Sequence, residues 1–313
     1  MTKKLVELII KEKRRPAVVL MITLFFIIAL GVIVTTIMTN NEKFLKKVNL
    51  ENFYIESNLI FQDLESILKS ESKDINDSLG LYMITSMPIV LNDEKSGIEI
   101  EMSCESAAYG FNLNCLGKRV DSAEFHKCYD IVSALFHKLK IVDPDKLINT
   151  ISDAIDRDNM ERYSETEVVL KDPWFKQGPI ESIDRFKEIV RFYAIKSEDY
   201  AALKIPWEEY FSFRNKEIDF NYINPILAAS IDPDIDAKSL ADLKLKGDVF
   251  PINKFEDAGI SGNTKNRLKE AGVKTYVPLL QCTIELTQND NWSKTEFYYD
   301  IKTDKIKYSK TIF

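Results

Sequence analysis

The chain has 313 residues, 45% of them hydrophobic and 29% charged, with 10 Gly and 10 Pro, which excludes collagen-like, low-complexity and wholly disordered chains. Four Cys without a C-x-x-C pair exclude a disulfide-dense scaffold and argue against a zinc ribbon, and two His, His126 and His137, leave little material for His-based catalysis. A net charge of −7 argues against nucleic acid as the default partner.

Residues 1–16 carry Lys3, Lys4, Lys11, Lys13, Arg14 and Arg15 against only Glu7 and Glu12. Residues 17–38 then contain no charged residue and no Asn, Gln or His. At about 1.5 Å per residue this run makes a helix of roughly 33 Å, enough to cross a bilayer core. A cleaved secretory signal has a shorter apolar region, about 7–15 residues, ending at a small-residue site; here Thr39-Asn40-Asn41-Glu42 follows, which favours a retained span. The basic end is expected in the cytoplasm and everything after about Thr39 across the membrane.

Residues 41–70 lack Gly and Pro, and Phe44, Leu45, Val48, Phe53, Leu59, Ile60, Leu64, Ile67 and Leu68 recur largely at spacings of three and four. That spacing predicts a helix with one apolar face, continuing the span as a stalk packed on an outer domain, or a separate helix after a break at residues 39–41. Residues 81–91 and 98–104 read as strands joined by a turn over residues 92–97. Cys104 and Cys115 flank the loop between them, so Cys104–Cys115 is the preferred bridge over Cys128–Cys282, provided the Cα atoms lie within roughly 7 Å.

Residues 122–139 are amphipathic, and shorter helices are predicted over 143–155, 181–195, 238–245 and 264–271. Strand signals end the chain at 276–286, 294–299 and 305–313, with turns at 289–291 and 303–304. This order predicts an α+β protein in which a helical block interrupts a β-domain. The expected divisions are 1–16 (basic leader), 17–39 (span), 40–72 (stalk), 73–116 with 276–313 (sheet domain), and 117–275 (helical insertion), the last in two parts near 117–212 and 213–275.

Asp153 and Asp156 are three apart on one face of a helix end, with Asp158 just beyond and Glu165 able to return from the following loop. Clustered hard oxygens suit Ca²⁺; a solvated acidic helix terminus is the alternative. Asp232-Pro233-Asp234-Ile235-Asp236 alternates like a calcium loop but lacks the Gly and distal Glu of that register, and Asp236 is better placed to cap a helix. His126, Cys128 and His137 do not share a helix face, which disfavours zinc. Residues 255–280 have the outline of a helix-hairpin-helix, read as a packing module because the acidic exterior suits phosphate contacts poorly. Trp174, Trp207, Tyr210, Trp292, Tyr298 and Tyr299 are read mainly as core. No nucleophile elbow, P-loop, zinc-protease helix or dinucleotide fingerprint is present.

Three motifs carry a resemblance: Glu105-Ser106-Ala107 followed by Phe111-Asn112-Leu113-Asn114-Cys115-Leu116; Asp153-Ala154-Ile155-Asp156-Arg157-Asp158 followed by Glu161, Glu165 and Glu167; and, loosely, Ile218-Asp219-Phe220-Asn221-Tyr222-Ile223-Asn224-Pro225. In that order, behind a long N-terminal helix, they resemble the large minor pseudopilin of type II secretion, the general secretion pathway protein K family. The resemblance implies a pilin-like long helix and antiparallel sheet with a large inserted helical, SAM-like domain. It implies a non-enzymatic, single-pass protein of the bacterial inner membrane with its C-terminal domain in the periplasm. Such a subunit joins other minor pseudopilins through its N-terminal helix and head, initiates the pseudopilus at its tip, aids protein export, and meets secreted substrate or the outer-membrane channel. It implies calcium on Asp153, Asp156, Asp158 and Glu165, and leader cleavage between Pro16 and Ala17. Pro16 stands where the family has Gly, and a proline lacking an N–H disfavours that cleavage. Met21 stands where most pseudopilins carry Glu, an absence this chain shares with the K-type subunit. A minor pilin of a type IV pilus and a signal-anchored periplasmic enzyme or binding protein are the competing readings.

Overall fold

The computed structural model describes residues 2–93, 97–246, 251–289 and 291–313, with only the backbone described for residues 2–19 and Lys246. The turns expected over 92–97 and 289–291 therefore fall partly outside the described residues, as do the side chains at Pro16 and Ala17. Two compact units are distinguished, Met1–Asp63 and Leu64–Phe313.

The described residues of the first unit are all helical, within helix α1 (Thr2–Ser72). No break interrupts it at residues 39–41. Among the described residues it is the one helix long and apolar enough to cross a membrane, and its apolar stretch is unburied. Phe25, Phe26, Ile27, Ile33 and Ile37 all lie open. The threonines there need no outside partner. Thr35, Thr36 and Thr39 donate their hydroxyls to the carbonyls of Gly31, Val32 and Thr35 at 2.8–3.0 Å. This suits a medium that offers no hydrogen bonds.

The second unit is built on an antiparallel sheet. Among the described residues its strands are β1 (Ile89–Asp93), β2 (Ile98–Ser106), β5 (Leu279–Gln288), β6 (Asn291–Asp300) and β7 (Lys305–Ile312), in the order β1-β2-β5-β6-β7. Alternate residues of β2, β5 and β6 are buried, including Ile100, Met102, Leu280, Ile284, Phe297 and Tyr299. This two-residue period gives the sheet one core face. The last turn of α1 joins that core: Leu64 and Leu68 are buried, and the Ser72 and Tyr299 hydroxyls share a hydrogen bond of 2.8 Å.

The segment read from sequence as one strand over 81–91 divides in two. Its first half is helix α2 (Ser78–Ser86), started by Asp77, whose carboxylate accepts from the Gly80 N–H at 2.9 Å. Pro88 ends it, because a residue before proline is pushed out of the helical region. Met87 is extended, with φ −122° and ψ 103°. The strand begins only at Ile89.

Between β2 and β5 the chain leaves the sheet and forms the helical insertion. Its helices are α3 (Ala123–Lys138), α4 (Pro144–Ile155), α5 (Ile183–Ser197), α6 (Pro225–Ile231), α7 (Ala237–Lys246) and α8 (Gly262–Glu270). Two short strands, β3 (Ile218–Asp219) and β4 (Val273–Lys274), pair in parallel. Ser122, Asp143 and Ser182 cap α3, α4 and α5 by accepting from backbone N–H groups three residues on. The core is aromatic. Trp207 stacks on Phe211 at 5.8 Å between ring centres, Phe186 packs edge-on against both, and the Trp207 indole N–H donates to the Ala202 carbonyl at 3.0 Å. Trp207, Tyr210 and Tyr299 are thus core, as expected, whereas Tyr298 is half-buried and Trp174 and Trp292 are exposed, Trp174 at 94%.

The cysteines pair differently from the sequence expectation. The bonds are Cys104–Cys282 and Cys115–Cys128. Cys104 on β2 stands directly opposite Cys282 on β5 in the strand register, Cα atoms 4.1 Å apart. Cys115 sits in a short 3-10 turn (Leu113–Gly117) beside α3, which carries buried Cys128. Cys104–Cys115 fails because the chain leaves the sheet at residue 107, carrying Cys115 into the insertion; only long-range strand pairing reveals Cys282 as the partner.

Candidate functional site

The motif asparagines are ties between distant segments. Asn112 donates to the carbonyls of Phe213 and Asn215. Asn114 donates to the Ile180 carbonyl at 2.9 Å and accepts from the Ile180 N–H at 2.7 Å. Asn221 donates to the carbonyls of Ile252 and Thr275 and accepts from the Ile252 N–H. Each side-chain amide thereby satisfies loop backbone that is buried or half-buried.

The acidic segment after α4 is assembled around an arginine. Asp153 is fully buried. It accepts from the Thr166 hydroxyl at 2.6 Å and from the Arg162 backbone N–H at 3.1 Å, while Arg162 Nε stands 3.1 Å from its Oδ1. The same guanidinium donates to Asp156 Oδ2 through Nη2 at 2.8 Å. Glu167, also fully buried, accepts from Gln177 at 3.0 Å. Burial pushes the Asp153 carboxyl above its ordinary pKa, against the lowering effect of the Thr166 and Arg162 bonds. Burial likewise pushes Glu167 up to about 6.

The four residues predicted to hold calcium are not brought together. Asp153 and Asp156 converge, but on Arg162. Asp158 accepts from the Met160 N–H in an exposed loop turn. Glu165 turns to Lys196 at 3.3 Å and Lys146 at 3.7 Å, and the Lys196 bond holds its carboxyl below the usual range. Buried Glu167 is the acid whose charge is felt together with that of Asp153, and sequence spacing offers no signal for choosing it over Glu165. Among the described residues no group of three or more His, Cys, Asp or Glu is placed to hold a metal ion. The predicted set therefore does not fit a cation that takes six to eight oxygens.

The second acidic loop follows the same plan. Buried Asp232 accepts from the Asp234 N–H at 3.0 Å, and Arg267 of α8 reaches Asp232 Oδ2 at 3.2 Å and also pairs with Asp234. Asp236 caps α7, accepting from the Ser239 N–H at 2.9 Å. Arg267 of the hairpin-like module is thus engaged internally. His126 and His137 are exposed on α3, and Cys128 is in a disulfide, so these three form no zinc site.

An apolar groove of about 350 Å³ lies within the second unit, lined by Ile67, Leu68, Met83, Met87, Ile89 and Met102 among others. It holds no convergent polar groups of the sort that orient a substrate.

No family model matches the chain, and no curated protein matches it. The fold, however, is shared with GspK in the crystal structure of the GspK-GspI-GspJ complex from the type II secretion system of enterotoxigenic Escherichia coli. The TM-score is 0.59 at 13% identity, and the match covers 85% of this chain and 99% of that one. The long N-terminal helix, antiparallel sheet and helical insertion are that fold.

Proposed function

We propose that this chain is a minor pseudopilin of a type II secretion system. The apolar part of α1 anchors it in the inner membrane, the basic leader remains cytoplasmic, and the head lies in the periplasm. It assembles with other minor pseudopilins at the pseudopilus tip, where it initiates the fibre and aids export. The single observation carrying this reading is the GspK fold over nearly the whole length of the matched chain, insertion included. The helix of 71 residues supports it, because its apolar stretch is unburied and long enough to cross a bilayer. The anchor supplies no catalytic group and the fold likeness is to a secretion component, so the work is that of a scaffold.

The test is co-expression of the full chain with the candidate minor pseudopilins of its own host, followed by affinity purification from detergent-solubilised membranes. A stable complex with two siblings is expected. Recovery of the chain in the soluble fraction, or its co-purification only with type IV pilus subunits, would overturn the assignment.

A further inference from the structure

We propose that this protein carries its own cations in the two acidic loops where its sequence pattern suggests calcium: the guanidinium groups of Arg162 and Arg267 bridge the paired carboxylates, and the head folds without divalent metal. The inference rests on geometry within the head and does not depend on the secretion reading.

The two loops are independent and built alike. In each, a fully buried aspartate at or just beyond a helix C-terminus is paired with a second aspartate a few residues on, Asp153 with Asp156 and Asp232 with Asp234. In each, one arginine spans the two carboxylates. Arg162 does so at 3.1 and 2.8 Å, and Arg267 stands 3.2 Å from Asp232 while pairing with Asp234. A guanidinium is planar, always charged and suited to bridging carboxylates, whereas lysine offers only a point charge. It meets the requirement a calcium ion would meet, a fixed positive centre that lets a buried carboxylate stay near others of its sign.

The arginines come from different places in the chain. Arg162 returns from the loop after α4 and also donates its backbone N–H to Asp153. Arg267 lies in α8, well downstream of Asp232 in the chain. The same solution from two unrelated elements is what local packing accident does not supply. In these loops, buried side-chain atoms lacking a hydrogen bond are oxygens of Asp153, Asp156, Glu167 and Asp232, and Nη1 of Arg162. Those of Asp153 and Asp232 are the atoms facing the guanidinium groups at ion-pair distance. Glu167 accepts from Gln177 through its other oxygen.

The experiment uses the full chain purified in detergent. Its melting temperature is measured in chelator and in millimolar Ca²⁺, and calcium binding is followed by titration calorimetry. Unchanged melting and no binding heat are expected. Arg162→Met and Arg267→Met should each lower the melting temperature in chelator by about 5 °C or more, and added Ca²⁺ should restore part of the loss by entering the vacated position. Arg162→Lys should fall between. Stoichiometric calcium binding to the unaltered chain, or a melting temperature that drops when calcium is chelated, overturns the proposal; this reading holds even if the methionine variants fail to fold. Variants that melt like the parent in chelator overturn it equally.

Discussion

Asp219 accepts the backbone N–H of Val277 at 2.9 Å, while its own backbone N–H donates to the Ala108 carbonyl at 2.7 Å. Ala108 lies where the chain leaves the sheet and Val277 where it returns. One residue of the insertion therefore holds both crossings. Its other oxygen accepts from the Asn221 N–H at 2.9 Å. Burial pushes this carboxyl up to about 7, against those hydrogen bonds and the nearby Lys244, whose own value burial lowers to about 8. Asp219→Asn sets an amide NH₂ against one of two backbone N–H donors, leaving a buried donor unpaired. A loss of about 1–3 kcal/mol is expected. Chemical denaturation of the full chain measures it, and parent-like stability would show that Asp219 does not hold the crossings.

The Cys104–Cys282 bond closes the same junction covalently, joining positions separated by 178 residues of sequence. Peptide mapping without reduction should recover Cys104 with Cys282 and Cys115 with Cys128. Replacing Cys104 and Cys282 together by Ala should cost about 2–5 kcal/mol, the range for a native bridge. Bridged Cys104–Cys115 peptides would refute the strand register between β2 and β5.

Much of this architecture is legible in the sequence because its signals are local. The apolar run at residues 17–38, the capped amphipathic helices α3 to α5 and the alternating strands β2, β5 and β6 each declare themselves within a short window. What escapes is long-range or competitive. Residues 81–86 are apolar enough for either element, and Asp77 with Pro88 decides for a helix. Cys282 becomes the neighbour of Cys104 only once β2 pairs with β5. The carboxylate spacing at 153–158 suggests an ion because spacing cannot reveal that Arg162 reaches back into the cluster.

Glu167 gives stability a pH dependence whose sign follows from its raised value. An unfolded Glu titrates near 4.5, whereas the buried one is pushed up to about 6. The folded form holds its proton more tightly, so the contribution is fully present below about 4.5 and is lost as pH rises through about 6. A shift of that size corresponds to roughly 1–2 kcal/mol at neutral pH. Glu167→Gln keeps an acceptor for Gln177 and removes the buried charge. It should melt higher than the parent at pH 7.5 and show a flatter profile between pH 7 and 5. A variant that melts lower throughout would show that the carboxylate is satisfied as an anion.

Gly110 precedes the Phe-Asn-Leu-Asn segment, and what it permits is a close pass of two backbones. Phe111 donates its N–H to the Tyr210 carbonyl at 2.8 Å and accepts from the Ser212 N–H at 3.2 Å. A Cβ at position 110 would lie 2.6 Å from the Phe211 carbonyl carbon and 2.7 Å from the Ser212 nitrogen. Those are main-chain atoms, unable to swing aside as a side chain would. Gly110→Ala must therefore push the strands of chain apart, breaking both bonds and loosening Phe211 in the aromatic core, at a cost of about 1–3 kcal/mol or more. Gly259 supplies the contrast. It has φ +71° with nothing within 4 Å of a Cβ, so Gly259→Ala meets only the backbone preference, about 1 kcal/mol. Denaturant midpoints of the two variants should separate in that order, and the reverse order would mean that the segments at Phe111 and Phe211 do not run against each other.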